Sequence, residues 1–252
     1  MYSKMAKYYE EIFPLEEEKL SFINGLLGGP PAAVLDAGCS TGELVYALAG
    51  KGHNASGIEL DMEMFLHAAR RRKGKRKRKT RGEVSFLHGS MVRLEENYKP
   101  CSFDMVLCLG NTLVHLSGPE EIGEFLSNVF GVLKPGGLLV VQILNYERIL
   151  RLKPEELPKI ETDKILFTRR YEYPAGGDKT EFITSLTDKT TGEKFENSVT
   201  LYCLTREGLL LALEERGFVV EERFSDFSRN PLGPESFSTV TVAKKVQAGD
   251  DC

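Results

Sequence analysis

At 252 residues, with 41% apolar and 28% charged content, the chain has the size and composition of one large globular domain. A chain this long buries roughly 70–75% of its unfolded surface and needs no covalent staple. No apolar run approaches the roughly 18 residues of a membrane-spanning helix. No apolar leader follows Met1, and five scattered cysteines argue against a disulfide framework, so a cytoplasmic protein without a membrane role is expected. No Cys or His spacing suits zinc, so no metal is expected. The net charge of −4 conceals one strongly basic tract, ten Lys or Arg within Arg70–Arg81, set in an otherwise acidic chain.

In chain order, Tyr8-Tyr9 precede a helical pattern carried by Leu15, the Lys19 stem, Phe22, Ile23 and Leu26. Gly28-Gly29-Pro30-Pro31 ends that helix, so residues 1–30 form an N-terminal helical segment. The tyrosine pair either closes over a ligand or packs on the core. Val34-Leu35-Asp36-Ala37-Gly38-Cys39-Ser40-Thr41-Gly42 then reads as a strand running into a tight turn, with a helix from Glu43 behind it. Strand, glycine turn and helix open a nucleotide-binding βαβ unit, because glycine permits the sharp turn and close approach of a ligand. Asn54 to Leu60 is a second strand with an acid, Glu59, at its end, and Asp61 caps the next helix. At its distance from Gly38, Glu59 reaches the ribose hydroxyls of a nucleoside in a Rossmann-like fold.

The basic tract is either a solvated surface segment or a contact for nucleic acid or another polyanion; no aromatics interleave it to stack bases. Val84 to Met91 gives a third strand and its exit. Ser102 to Asn111 gives a fourth, apolar enough for burial on both faces. A helix over Glu120–Leu133 ends at Lys134-Pro135-Gly136-Gly137, and Leu138 to Leu144 is a fifth strand. This alternation implies right-handed crossovers and a parallel sheet.

The pattern then changes. Ile165–Tyr173, Thr180–Asp188 and Glu193–Leu204 read as three strands with no helix between them, so they are antiparallel. Their turns are Pro174-Ala175-Gly176-Gly177-Asp178 and Lys189-Thr190-Thr191-Gly192. A helix from Thr205 to Arg216 stops at Gly217, a strand pair over Phe218–Phe224 and Phe237–Lys244 closes the fold, and Val246–Cys252 is a frayed tail.

The stretch Val34–Gly42 resembles the first motif of class I S-adenosylmethionine (SAM) dependent methyltransferases, and Leu133–Leu139 is similar to the turn before their fifth strand. The resemblance implies an α/β, Rossmann-like fold: a mostly parallel seven-stranded sheet with helices on both faces, and an antiparallel β insertion after strand five. The whole of 1–252 is then a single domain with its insertion at about 160–204. It implies SAM as cofactor, bound by Tyr9, Asp36, Gly38, Cys39, Ser40, Gly42, Glu59, Leu60, Ser90, Met91, Leu109 and Gly110. Two positions depart from the family pattern: Ser40 replaces a glycine, and Ser90 beside Met91 stands where an acid often meets adenine. Cys108–Leu116 and Asn145–Leu150 resemble stretches of glycine and sarcosine N-methyltransferases.

The reaction implied is methyl transfer to a small-molecule acceptor, an amine or amino acid, which needs positioning more than covalent catalysis. Asn111, His115 and Tyr146 are the candidate catalytic residues. Asn111 orients the acceptor or is only a turn residue, and His115 is a base or is structural. Acceptor specificity falls to the N-terminal segment and the insertion, where Arg169, Tyr171 and Tyr173 share one strand face and Arg170 takes the other. The alternatives are an RNA methyltransferase or a polyanion binder using tract 70–81. A nicotinamide oxidoreductase is disfavoured because the turn lacks G-x-G-x-x-G spacing.

Overall fold

The computed structural model describes residues 5–71, 80–174 and 177–246. Most of the basic tract (72–79), Ala175-Gly176 of one predicted turn, and 247–252 of the predicted frayed tail lie outside the described residues. Two helices come first, α1 (Tyr9–Ile12) and α2 (Glu17–Leu26). They are followed by β1 (Ala33–Ala37), α3 (Glu43–Lys51), β2 (Asn54–Glu59), α4 (Met62–Arg71), β3 (Val84–His88), β4 (Phe103–Cys108), α5 (Pro119–Val132) and β5 (Leu133–Leu144).

Past that point the chain builds α6 (Tyr146–Leu152), then β6 (Glu156–Glu161), β7 (Ile165–Glu172), β8 (Lys179–Asp188) and β9 (Lys194–Tyr202). It finishes with α7 (Arg206–Glu214), β10 (Phe218–Phe224) and β11 (Ser238–Lys245). Seven strands form the main sheet in the order β10-β11-β5-β4-β1-β2-β3, and β6 to β9 form a separate four-stranded antiparallel sheet. Strands β1 to β5 are parallel, while β11 runs antiparallel to both β5 and β10.

The main sheet is buried on both faces, as its continuous apolar strands require. Residues of α2 and α3 pack with Val140, Val240 and Val242 on one face. Residues of α5 and α7 pack with Leu139, Val141 and Ile143 on the other. A third cluster joins Met5, Ala6, Tyr8 and Ile12 to Ile165, Phe167 and Leu186, so the N-terminal segment lies on the inner face of the smaller sheet.

Three local readings change. Lys134-Pro135-Gly136-Gly137 does not separate α5 from β5; it is a bulge inside β5, between the pairs Phe103↔Leu133 and Met105↔Leu138. Lys134 Nζ donates to Asp104 Oδ1 at 2.7 Å and holds it there. Two elements carried no clear sequence signal: α6, and the edge strand β6, whose pairing with β7 is irregular and which contains Pro158. The insertion therefore begins nearer residue 156. Of the cysteines, Cys39, Cys108 and Cys203 are free and buried, whereas Cys101 is disulfide-bonded, against the expectation from cysteine spacing. Among the described residues no helix is long and apolar enough to cross a membrane, and no cluster of ligating side chains suits a metal.

Candidate functional site

Strand order reverses between β1 and β4, so the loops leaving their C-terminal ends part and open a crevice, the usual ligand position in such sheets. The loop after β1 is 38–42. Gly38 and Gly42 adopt φ of 80° and 75°. A Cβ on Gly38 would lie 2.4 Å from Thr112 Cγ2, and one on Gly42 would lie 2.6 Å from the Phe86 ring. Only glycine meets both the backbone and the packing demand. Gly38 and Cys39 donate their N–H groups to the Ile58 carbonyl, which ties the turn to β2.

Two carboxylates lie under this turn. Glu59, at the end of β2, accepts the Ser40 N–H and the Asp61 N–H, each at 2.8 Å, one on each oxygen. Each oxygen keeps a lone pair for a ligand hydroxyl. Burial raises the Glu59 pKa, and those two N–H groups oppose the rise. Asp36, at the end of β1, is only 5% exposed. Burial pushes its carboxyl up to about 7; Lys19 counters this and Glu59 adds to it. A crevice floored by two repelling carboxylates suits a cationic ligand that also carries hydroxyls.

The opposite wall is the loop after β4. Gly110 donates its N–H to Gln142 Oε1 at 2.9 Å, and Asn111 donates its own to the Gln142 carbonyl. Asn111 takes the left-handed conformation, φ 68°, and leads a 3₁₀ turn over Thr112–His115. Its side chain is held at both ends: Oδ1 accepts the Leu144 N–H at 2.9 Å, and Nδ2 donates to Tyr146 Oη at 3.1 Å. Tyr146 is fully buried, and burial raises its phenol pKa. It therefore stays a neutral hydroxyl. The preceding Asn145 caps α6 by accepting the Arg148 N–H and anchors the 234–237 loop through Nδ2, which fixes where Tyr146 starts.

The N-terminal segment links the first turn to the smaller sheet. Ser40 Oγ donates to Tyr9 Oη at 3.0 Å, and Thr41 Oγ1 donates to Glu10 Oε1 at 3.0 Å. Glu10 is also paired with Arg71 of α4. The Tyr9 and Phe13 rings are 5.3 Å apart, and the Arg169 guanidinium sits 5.9 Å from the Phe13 centroid. Tyr171 neighbours Arg169 and perturbs the Tyr146 phenol. Two runs of contacts result, Asn111–Tyr146 in the wall after β4 and Arg169–Phe13–Tyr9–Ser40 from the smaller sheet to the first turn.

Of the residues expected at the site, Tyr9, Asp36, Gly38, Cys39, Ser40, Gly42 and Glu59 come together around the first turn. Leu109, Gly110, Asn111 and Tyr146 form the facing wall. Ser90 and Met91 lie just past β3, whose last residue His88 pairs with Glu59; Ser90 Oγ accepts the Val92 N–H, and Met91 is buried. Leu60 is 68% exposed at the rim beside them. His115 closes the 3₁₀ turn that Asn111 opens and is exposed, although the protein around its ring lowers its pKa below the usual imidazole value. The tyrosine pair divides its roles: Tyr9 faces the turn, while Tyr8 packs against the smaller sheet and donates to Asp188. Thr112, Gln142, Phe13 and Lys19 belong to the site and went unseen, because their roles are contacts between distant segments that leave no local pattern.

Comparison with known proteins places this geometry. A methyltransferase-domain family model matches residues 34–137. Glycine N-methyltransferase of Rattus norvegicus is 30% identical over 124 residues, covering 46% of this chain and 42% of the relative. The chain therefore spans less than half the length of the curated relatives it matches. A SAM-dependent methyltransferase from Clostridium acetobutylicum ATCC 824 superposes with a TM-score of 0.81 at 16% identity, covering 98% of this chain and 99% of that one. The CcbJ methyltransferase from Streptomyces caelestis gives 0.82 at 20% identity, covering 96% of each. The expected fold, a mostly parallel seven-stranded Rossmann-like sheet with an antiparallel insertion after strand five, is the one observed.

Proposed function

We propose that the chain is a class I SAM-dependent methyltransferase and that it transfers a methyl group from SAM to a small-molecule acceptor, an amine or amino acid; the methyltransferase-domain match over residues 34–137 and the shared fold support this reading. The observation that carries this reading is the crevice at the strand-order switch, where two glycines admit no side chain and one buried and one half-buried carboxylate, Asp36 and Glu59, favour a cation. The group fits these residues. Its positive charges answer Asp36 and Glu59, and its ribose hydroxyls meet the free lone pairs of Glu59. Gly38, Ser40 and Gly42 would line the amino-acid and sugar part, with Cys39 beneath the turn. Leu60, Ser90 and Met91 would line the base, and Leu109 and Gly110 the far wall.

When bound, SAM supplies a methyl group activated by a sulfonium leaving group. The protein's part is to hold an acceptor in line and exclude water, which can supply much of the acceleration. Asn111 is the residue of this wall that would meet the acceptor, and the fully buried Tyr146 hydroxyl holds its amide in place. An acceptor amine loses its proton before attack; His115, exposed at the end of the 3₁₀ turn and with a lowered pKa, is the imidazole proposed to receive it by way of solvent. The N-terminal segment, through Tyr9 and Phe13, covers the space from the other side.

The test is calorimetric binding of S-adenosylhomocysteine. Glu59→Ala is expected to weaken it about tenfold or more, the loss of charge-assisted hydrogen bonds to two hydroxyls. Unchanged affinity in that variant, or no binding by the parent protein, would remove the central support. A radiolabel transfer screen over glycine, sarcosine and simple amines, with bulk RNA as the contrasting substrate, then names the acceptor class.

A further inference from the structure

Resting on the donor-site reading above, we propose that the inner face of the four-stranded sheet holds the anionic end of the acceptor, a carboxylate, through Arg169, Tyr171 and Asn197. Strand register puts these residues together. Arg169 pairs with Thr184, and Thr184 with Asn197, so the three share one face in one row across β7, β8 and β9. The adjacent row on one side is Phe167, Leu186 and Phe195, apolar and packed under Met5, Tyr8 and Ile12. The row on the other side is Tyr171, Phe182 and Val199, packed in the cluster that contains Tyr146. A polar row is thus enclosed between two apolar ones, each under its own cover.

That row, with the Tyr171 hydroxyl from the row beside it, carries donors without acceptors. Arg169 Nε, Asn197 Nδ2 and Tyr171 Oη are all buried and have no hydrogen-bond partner, and Tyr171 is only 4% exposed. Buried polar groups in a folded protein are normally satisfied, so three orphans on neighbouring positions of one face call for a ligand. Guanidinium and amide nitrogens can only donate, and the phenol can join them, so the complement is a group with several lone pairs and negative charge. Among the described residues no carboxylate pairs with Arg169, whereas Arg170, on the opposite face, is paired with Glu172. Arg169 is already oriented: Nη2 donates to the Pro158 carbonyl at 2.8 Å, and its plane lies near the Phe13 and Phe167 rings. A half-buried guanidinium fixed in this way, with its Nε edge free, binds a carboxylate more strongly than a solvated one. The row adjoins Tyr9 and Phe13 on one side and Tyr146 and Asn111 on the other. An acceptor anchored here by its carboxylate therefore directs its nucleophilic end toward the Asn111–Tyr146 pair.

The experiment uses the full chain loaded with S-adenosylhomocysteine and titrated with sodium acetate, with acetamide as the neutral isostere. Acetate is expected to bind and acetamide not. Arg169→Gln should weaken acetate about tenfold and Tyr171→Phe severalfold. S-adenosylhomocysteine affinity should stay within about twofold in both variants, as these residues stand on β7 of the smaller sheet and not on the loops after β1, β2 and β4. Arg170→Gln, on the outer face, should leave acetate binding unchanged. If Arg169→Gln does not fold, Arg169→Lys replaces it and should retain part of the affinity, since charge survives but the planar fork does not. Equal binding of acetate and acetamide, or unchanged acetate affinity in the Arg169 variant, overturns the proposal. Arg169-dependent acetate binding in a protein that fails to bind S-adenosylhomocysteine would overturn the donor reading and leave this site standing.

Discussion

Ser40 donates its hydroxyl to the Tyr9 phenol at 3.0 Å while its backbone N–H binds Glu59, so one residue joins the N-terminal segment, the first turn and the end of β2. Ser40 stands where the motif that this turn resembles has a glycine, and it keeps a left-handed φ of 50°. The side chain that departs from the pattern is the one that fastens the cover. Ser40→Gly should relieve backbone strain while losing about 1 kcal/mol of hydrogen bond, leaving global stability nearly unchanged. Amide exchange over residues 5–13 should nevertheless quicken. Equal exchange in both proteins would show that the contact does not hold the segment.

Asp36 titrates near neutrality because burial disfavours its charge. Its folded pKa lies above its unfolded value, so its contribution favours the fold at low pH and is lost as pH rises from about 4 through about 7. Asp36→Asn should therefore stabilise the ligand-free protein at pH 8, by up to about 4 kcal/mol, and change little at pH 4. The same variant should bind SAM more weakly at pH 8, having lost the attraction for a cation. Thermal melts and calorimetry at the two pH values check both halves; a variant less stable at pH 8 contradicts the assignment.

Gly38 and Thr112 are in contact across the crevice floor. Gly38→Ala meets Thr112 Cγ2 and a φ of 80°, and should cost about 1–3 kcal/mol. Pairing it with Thr112→Ser removes the clashing methyl but not the backbone strain, so a partial recovery is expected. Full recovery would assign the whole cost to the clash, and none would assign it to the backbone.

Tyr146→Phe keeps the buried ring and removes the hydroxyl that Asn111 meets. It should lower stability by about 1 kcal/mol and lower kcat more than it raises KM, since the pair acts on the positioned acceptor. Asn111→Gly tolerates the left-handed backbone and should fold, whereas Asn111→Ala pays for it as well. A Tyr146→Phe enzyme with unchanged kcat would reduce the pair to a structural role.

Local chemistry made much of the fold legible. Glycines at 38 and 42, the acid at 59 and the alternation of apolar strands with helices each depend on a few adjacent residues, so the sequence alone specified the parallel sheet and the glycine turn at its strand-order switch. It misjudged Lys134–Gly137, because a bulge and a turn use the same residues and only the pairing partner separates them. It passed over β6, an edge strand with weak alternation that exists because β7 offers a free edge. Cross-sheet relations lay beyond its reach. Tyr9 meeting Ser40, Thr112 filling the space above Gly38, and Arg169, Thr184 and Asn197 forming one row all join residues far apart in the chain. A side chain's partner depends on register and on which face of a sheet it takes, and a slip of one residue reverses every face. The residue types and spacings determined the glycine turn and the acid that face the crevice; tertiary packing decided which distant side chains meet them.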